Sequence, residues 1–224
     1  MMTLDLFQIL SRLPTFSNLS TSDLKKVAAS AIYKTLPAGE IVLHEGDESE
    51  SAYFVLSGKM EVFRLALSGR EQVLTSLSAG QGFNTAPFFL EEKHNPASVR
   101  TLEKSAVMAI PAKQFLALLR EVPDFNRLVM RDYSEHLKQL TNKVENLGLY
   151  SVRARLVRFI LEQADQKESP TRWTQDEIAS HIGTVRDVVG RSLRSLEQEG
   201  LIEMQRQRIH LLDRAGLEKV AHSE

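Results

Sequence analysis

The sequence predicts an α+β protein with a β-rich N-terminal half, one long helix and a C-terminal winged helix-turn-helix. Between residues 32 and 110, short runs rich in Val, Ile, Phe and Tyr alternate with glycine turns, as in antiparallel sandwiches and barrels. A heptad-like apolar pattern then follows Pro123, which favours a long helix. The last third has the order helix, helix, turn, helix and two short strands, which is the order of a winged helix-turn-helix.

Composition and charge narrow the class of protein. The 224 residues are enough for one large domain or two modest ones. Net charge is −1, and residues 151–224 carry 12 basic and 12 acidic side chains, so any nucleic-acid site must concentrate its positive charge locally. The absence of cysteine excludes disulfides, thiolate zinc sites and cysteine-ligated iron–sulfur clusters. With no apolar run of about 20 residues and no signal-peptide pattern, we expect a cytoplasmic protein without a membrane partner.

The N-terminal half reads as helix followed by strands. Residues 3–31 look helical with a break at Pro14, and Ser20 offers a cap for the second part. Pro111 fits the first turn of a short helix after the last strand. We place the domain boundaries at 1–122 (β-rich sensor or effector domain), 123–149 (long helix) and 150–224 (winged helix-turn-helix).

The long helix carries an apolar seam that suits a homodimer. Its members recur at spacings of 3, 4, 3, 4 and 3 residues: Met130, Tyr133, Leu137, Leu140, Val144 and Leu147. Packing of the same face on the chain's own barrel is the alternative. Burial between two chains would stabilise a dimer by several kcal/mol, at about 25 cal/mol per Å² of apolar surface.

The segment Thr174–Gly200 predicts two helices joined by a tight turn. Thr174 and Glu177 form a capping-box pattern, Gly183 breaks the first helix, Thr184 is expected to cap the second, and Gly200 ends it. At the helical period the second helix has two faces, with Val185, Val188, Val189, Leu193 and Leu196 on one and Arg186, Asp187, Gly190, Arg191 and Arg194 on the other. Arginines and a carboxylate at this spacing suit the DNA major groove, although an ordinary solvated helix face also carries such residues.

Several independent segments carry a family resemblance from about residue 13 to 215. They are LSGKMEVFR, the GQGF turn, the long helix after PDF, and TQDEIASHIGTVRDVVGRSLRSLEQEGLI. The chain resembles the Crp/Fnr (cyclic-AMP receptor and fumarate–nitrate regulator) family of bacterial transcription factors. The resemblance implies a double-stranded β-helix (a cyclic-nucleotide-binding-like β-roll), a dimerisation helix and a winged helix-turn-helix. It also implies a dimeric activator or repressor on near-palindromic double-stranded DNA, with RNA polymerase as a further candidate partner.

The same resemblance implies roles for individual residues. Arg186, Asp187 and Arg191 occupy the positions that read base edges, and this arginine–acid–arginine set leans toward TGTGA-like half-sites. Contacts to the DNA backbone are expected from Thr174, Gln175, Thr184, Arg194 and Arg206. No nucleophile elbow, Walker loop or metal-spaced His/Glu cluster occurs, so we expect neither a catalytic residue nor a metal site.

The effector segment departs from the cyclic-nucleotide binders. Where those proteins have Gly-Glu and Arg-Ser, this chain has Asn84-Thr85 and Asn95-Pro96, so a cyclic phosphate meets no cation and a ribose meets no carboxylate. The expected effector pocket comprises Asn84, Thr85, Phe88, Asn95, Ala97, Ser98, Leu140 and Thr141. We therefore expect an effector other than cyclic AMP by the usual contacts: an unknown, hydrophobic small molecule, or none because the chain fills its own pocket. No cofactor is expected, with haem on His44, His94 or His136 left open.

Two functions are compatible with these sequence features. The first is a sequence-specific DNA-binding transcription regulator. The alternative is a ligand-binding or protein-interaction module whose helix-turn-helix no longer engages DNA, for which the neutral charge of residues 151–224 is the main support.

Overall fold

The computed structural model describes residues 6–165, 173–205 and 208–222. It divides into two compact units, Met1–Arg64 with Leu74–Lys138, and Leu65–Val73 with Gln139–Glu224. The helices are α1 (Leu6–Arg12), α2 (Thr21–Ala29), α3 (Ala112–Glu121), α4 (Pro123–Leu149), α5 (Val152–Asp165), α6 (Gln175–Ile182), α7 (Arg186–Gln198) and α8 (Arg214–Ala221). The strands are β1 (Ile32–Leu36), β2 (Ile41–Leu43), β3 (Ser51–Ser57), β4 (Met60–Leu65), β5 (Glu71–Leu77), β6 (Gly82–Phe83), β7 (Ser98–Thr101), β8 (Ser105–Pro111), β9 (Ile202–Gln205) and β10 (Arg208–Leu211).

The strands β1 to β8 form two four-stranded sheets, in the orders β1-β8-β3-β6 and β2-β7-β4-β5. The central strand β3 is buried on both faces, because alternate side chains of a strand point to opposite sides. Tyr53 and Val55 join the apolar interior of the roll, while Phe54 and Leu56 face a second cluster built with the flanking helices. The predicted α+β class with an N-terminal β-roll is confirmed.

The N-terminal helices follow the predicted break and cap. A short 3₁₀ helix at Pro14–Phe16 separates α1 from α2, and the Ser20 hydroxyl accepts a hydrogen bond from the backbone N–H of Asp23. The prediction for Pro111 was wrong by one position. Pro111 is the last residue of β8 and the N-cap of α3 rather than part of its first turn, since its extended backbone (ψ 146°) still belongs to the strand.

Helix α4 spans 27 residues and buries only its first turns. Phe125, Leu128 and Val129 are buried in the cluster that also holds the side chains of α1 to α3. Most of the predicted seam is exposed in the single chain, with exposed fractions of 46–71%: Met130, Leu137, Leu140, Val144 and Leu147. Tyr133 differs, because it lies edge-on to Phe89 at 6.3 Å and packs on its own unit.

The C-terminal elements enclose a separate apolar core. Leu156 and Ile160 of α5, Ile178 of α6, Leu196 of α7 and Ile202 of β9 are all buried there. Strands β9 and β10 pair antiparallel as a wing, which confirms the predicted winged helix-turn-helix. Of the helices in the described residues, none combines the length and the apolar character needed to span a membrane.

Candidate functional site

The first helix of the helix-turn-helix is fixed at both ends by its own sequence. The Thr174 hydroxyl accepts from the Glu177 N–H at 3.2 Å, and the Glu177 carboxylate accepts from the Thr174 N–H at 2.7 Å. This is the predicted capping box. At the other end Gly183 has φ 72° and ψ 47°, the left-handed conformation in which helices commonly end. Arg155 adds a hydrogen bond to the Ile182 carbonyl at 2.7 Å.

The start of α7 differs from the prediction. The N-cap is Val185, with no side-chain cap bond, instead of Thr184. Val185 has the extended backbone of a cap (φ −116°, ψ 153°) and therefore leaves the helical period. Its side chain is 48% exposed rather than in the core. Thr184 is half-buried in the turn, so its predicted backbone contact remains a prediction.

Helix α7 separates an apolar face from a charged one. Val189, Leu193 and Leu196 are buried. The charged side chains and the glycine between them lie on the opposite face, where the four charged residues are exposed and the glycine is half-buried: Arg186, Asp187, Gly190, Arg191 and Arg194. The charged face of α7 is available to a partner, while the apolar face anchors the helix to its core.

The charged face has a defined arrangement of contacts. Arg186 Nη1 lies 3.5 Å from the Asp176 carboxylate on α6, and Arg194 Nε donates to the Gly190 carbonyl at 3.2 Å. The Gln175 side chain lies so close to Gly190 that a Cβ there would come within 2.9 Å of its Oε1 atom. A side chain at position 190 would therefore require the Gln175 side chain to move.

The wing, β9 and β10, and helix α8 follow α7 in the chain. Arg208 pairs with Gln205 across the hairpin, and the Met204 N–H donates to the Glu197 carboxylate at 3.0 Å. Arg206, a predicted backbone contact, lies outside the described residues. Helix α8 was missed by the sequence reading. Its signal was Asp213, which accepts a hydrogen bond from the Gly216 N–H as an N-cap, followed by buried Leu217.

The two asparagines of the expected effector pocket are hydrogen-bonded within the first unit. Asn95 is 3% exposed; its Oδ1 accepts from the Ser49 hydroxyl at 2.7 Å and its Nδ2 donates to the His44 carbonyl at 3.0 Å. Asn84 has φ 54°, a conformation that asparagine tolerates better than most residues, and donates to the Ser51 carbonyl at 3.1 Å. Asn95, which stands where cyclic-nucleotide binders have the arginine, and Asn84, next to the position of their glutamate, thus both bond to the chain's own backbone.

The remaining pocket residues occupy several environments. Thr85 and Ala97 are buried, and Phe88 packs on Phe115 with ring centroids 5.7 Å apart. The Ser98 hydroxyl accepts from the Glu45 N–H at 3.0 Å. Leu140 and Thr141 belong to the second unit, where both are exposed. The structure therefore places most of the predicted set in the first unit, where Asn84, Asn95 and Ser98 each make an internal hydrogen bond.

Histidines and carboxylates do not gather into a metal centre within the described residues. His44 and His94 are exposed, whereas His136 Nδ1 lies 3.5 Å from the Asp132 carboxylate. Burial raises the pKa of Asp132, and the charge of His136 and a hydrogen bond from the Gly82 N–H act in the opposite direction.

Comparison with known families matches both units of this architecture. A model described as the cyclic nucleotide-binding domain matches residues 33–122, and one described as the Crp-like helix-turn-helix domain matches residues 154–220. The chain belongs to the Crp/Fnr family of transcription regulators. Members of this family are regulators and not enzymes, and the second unit holds the family's DNA-binding domain.

Known relatives align with most of this chain. The cyclic AMP receptor protein of Thermus thermophilus is 26% identical over 209 residues, which cover 93% of this chain and 96% of that protein. The cAMP-activated global transcriptional regulator of Haemophilus influenzae is 28% identical over 173 residues, 74% of this chain and 77% of that protein. A Crp/Fnr regulator from Eubacterium rectale has the same fold, with a TM-score of 0.78, 23% identity and coverage of 94% and 98%.

Proposed function

We propose that this chain is a dimeric, sequence-specific transcription regulator that reads a near-palindromic site with TGTGA-like half-sites. The observation that carries the proposal is the charged face of α7, where Arg186, Asp187 and Arg191 are exposed while the opposite face is buried. Arginine binds guanine edges bidentately and a carboxylate accepts from cytosine. Two such helices related by a dimer axis reach successive major grooves about 34 Å apart.

In this proposal, DNA binding is not controlled by a cyclic nucleotide held through the family's usual contacts. Thr85 and Asn95 supply neither the carboxylate nor the cation that such a ligand needs, and the buried Asn95 amide is already hydrogen-bonded within the chain. Breaking the bonds of Asn95 to admit a ligand would leave buried polar groups unsatisfied, at about 1–3 kcal/mol each. The proposed regulator uses no cofactor. Its activation or repression through RNA polymerase depends on surfaces other than α7 and the β-roll segment discussed above.

The test compares the wild type with the double variant Arg186→Ala/Arg191→Ala on a TGTGA-type palindrome and on a scrambled duplex. Each lost bidentate arginine removes about 1–3 kcal/mol of discrimination, so the double variant should lose most of the wild type's preference, at least about tenfold. Wild-type affinity for the palindrome should be the same with and without cyclic AMP. Undiminished discrimination by the double variant would rule out the reading role.

Salt dependence separates this function from the interaction module without DNA binding. Neutralising phosphates makes the affinity for DNA fall steeply with salt. We expect the wild-type affinity for the palindrome to fall by at least about tenfold between 50 and 200 mM salt. A flat response over that range would favour the interaction module, in line with the neutral charge of residues 151–224.

A further inference from the structure

One of the two predicted base-reading arginines is paired inside the chain. Arg186 Nη1 lies 3.5 Å from Asp176 Oδ2, and about two-thirds of each side chain is exposed. Arg191 makes no ion pair within the part of the chain that the structure describes. The two arginines of the same helix face therefore start from different electrostatic states before any DNA arrives.

Local structure fixes both ends of this pair. Asp176 lies in the first turn of α6, whose N-terminus is held by the Thr174–Glu177 capping box. Arg186 is the first residue of α7, and α6 and α7 pack on the same apolar core. The helix-turn-helix therefore places the backbone positions of the two residues within reach of each other.

The carboxylate acts differently on the two kinds of contact that Arg186 can make. A phosphate contact is independent of sequence, and a carboxylate next to it repels the phosphate and competes for the same guanidinium. A guanine edge is uncharged, so the carboxylate competes with it for the guanidinium but does not repel it as it repels a phosphate. The penalty falls mainly on non-specific binding.

We propose that Asp176 is a specificity-determining residue that acts through Arg186, lowering affinity for arbitrary DNA more than affinity for the operator. This inference rests on the proposed reading role of Arg186. Sequence discrimination would then depend on Asp176 of α6 as well as on the side chains of α7.

The experiment measures dissociation constants of full-length Asp176→Asn for a TGTGA-type palindrome and for a scrambled duplex, at one fixed salt concentration. Exposed ion pairs are worth up to about a fivefold change in equilibrium constant. The ratio of scrambled to palindrome dissociation constants should therefore fall about two- to fivefold. Asp176→Glu, which keeps the charge, should restore most of it.

Two controls separate specificity from general charge and from folding. In an Arg186→Ala background, Asp176→Asn should leave the ratio unchanged. Glu162→Gln removes an exposed carboxylate from α5 and should also leave it unchanged. Trp173, the single tryptophan of the chain, packs against Phe159 and His181, so its fluorescence reports whether the domain stays folded.

An unchanged ratio in folded Asp176→Asn, or an equal fall in the Arg186→Ala background, overturns this inference and leaves the proposed function standing. A wild type that does not discriminate between the two duplexes overturns both.

Discussion

At the scale of single residues, buried polar groups decide what the β-roll can bind. Asn95 and Ser49 are both nearly inaccessible and bond to each other and to the backbone. A satisfied buried network is stabilising, whereas one member left without a partner is costly. The loss of the two charged residues, with Asn95 and Thr85 in their places, could be read from the sequence. Their internal partners could not, because Ser49 and His44 lie 46 and 51 residues away in the chain.

Asp132 is the residue whose removal we expect to stabilise the protein near neutral pH. Burial raises the pKa of Asp132 above its ordinary value, so the folded state favours the protonated acid. The contribution of Asp132 to stability is then largest at low pH and is lost as pH rises from the ordinary aspartate range through the raised folded pKa. Asp132→Asn removes this loss and can still accept a hydrogen bond from the Gly82 N–H.

Thermal unfolding followed by circular dichroism between pH 4 and 8 measures the effect. The melting temperature of Asp132→Asn should exceed that of the wild type at pH 7, by a few degrees, with the two curves converging toward pH 4. Glu121→Gln removes an exposed carboxylate from α3 and serves as the control. A variant that is less stable at pH 7 would show that the pairing of Asp132 with His136 outweighs the burial of the charge.

At the scale of elements, local sequence signals predicted helix ends best where a side chain or glycine makes the cap itself. Ser20, Thr174 with Glu177, and Gly183 all act as predicted. The start of α7 was predicted one residue too early, at Thr184, because the N-cap is Val185, which makes no side-chain cap bond that a sequence pattern could indicate. Helix α8 was missed for a related reason: its short apolar face is defined by the core it covers.

Substitution of Gly183 tests how much the turn between α6 and α7 depends on a left-handed backbone at this position. Alanine at a left-handed position costs about 1 kcal/mol, and a Cβ on Gly183 would come within 2.7 Å of Gln72 Oε1 and 2.9 Å of Leu147. Gly200 has almost the same φ, 71°, but no atom within 4 Å of such a Cβ. Gly183→Ala should therefore destabilise its unit by about 1–3 kcal/mol, and Gly200→Ala by only about 1 kcal/mol.

Denaturant unfolding followed by Trp173 fluorescence compares these two glycine variants, because this side chain packs on Phe159 in the same core. Equal free energies of unfolding would mean that Gln72 and Leu147 move aside without cost. In that case backbone strain alone would explain the glycine at the turn.

At the scale of the whole molecule, the sequence predicted the order of the elements and the family, because helical and strand periods and glycine turns are local properties. It predicted the exposed seam of α4 less completely. Tyr133 fits the heptad spacing but packs on Phe89 of its own unit, and the spacing alone cannot distinguish a partner chain from the chain's own barrel. The five other seam residues have 46–71% of their surface exposed, which is a large apolar area for a single helix face.

The dimer that we propose should depend on that seam. Leu137 is 67% exposed in the single chain, and burying a leucine is worth about 1.5–3 kcal/mol. A symmetric interface contains every residue twice, and about two-thirds of each Leu137 remains to be buried. Leu137→Glu should therefore cost at least about 2 kcal/mol and weaken dimerisation by about 30-fold or more. Asn142→Glu adds the same charge on an exposed position of α4 off the seam and should leave the dimer intact.

Sedimentation equilibrium measures the dimer, and DNA titrations show its consequence. Because a near-palindrome engages two reading helices at once, loss of the dimer should weaken binding to the full palindrome far more than binding to a single half-site. If Leu137→Glu remains dimeric, the seam does not form the interface, and its apolar side chains must be covered in another way. If it becomes monomeric and binds the palindrome with wild-type affinity, the chain reads DNA without the two-fold arrangement proposed here.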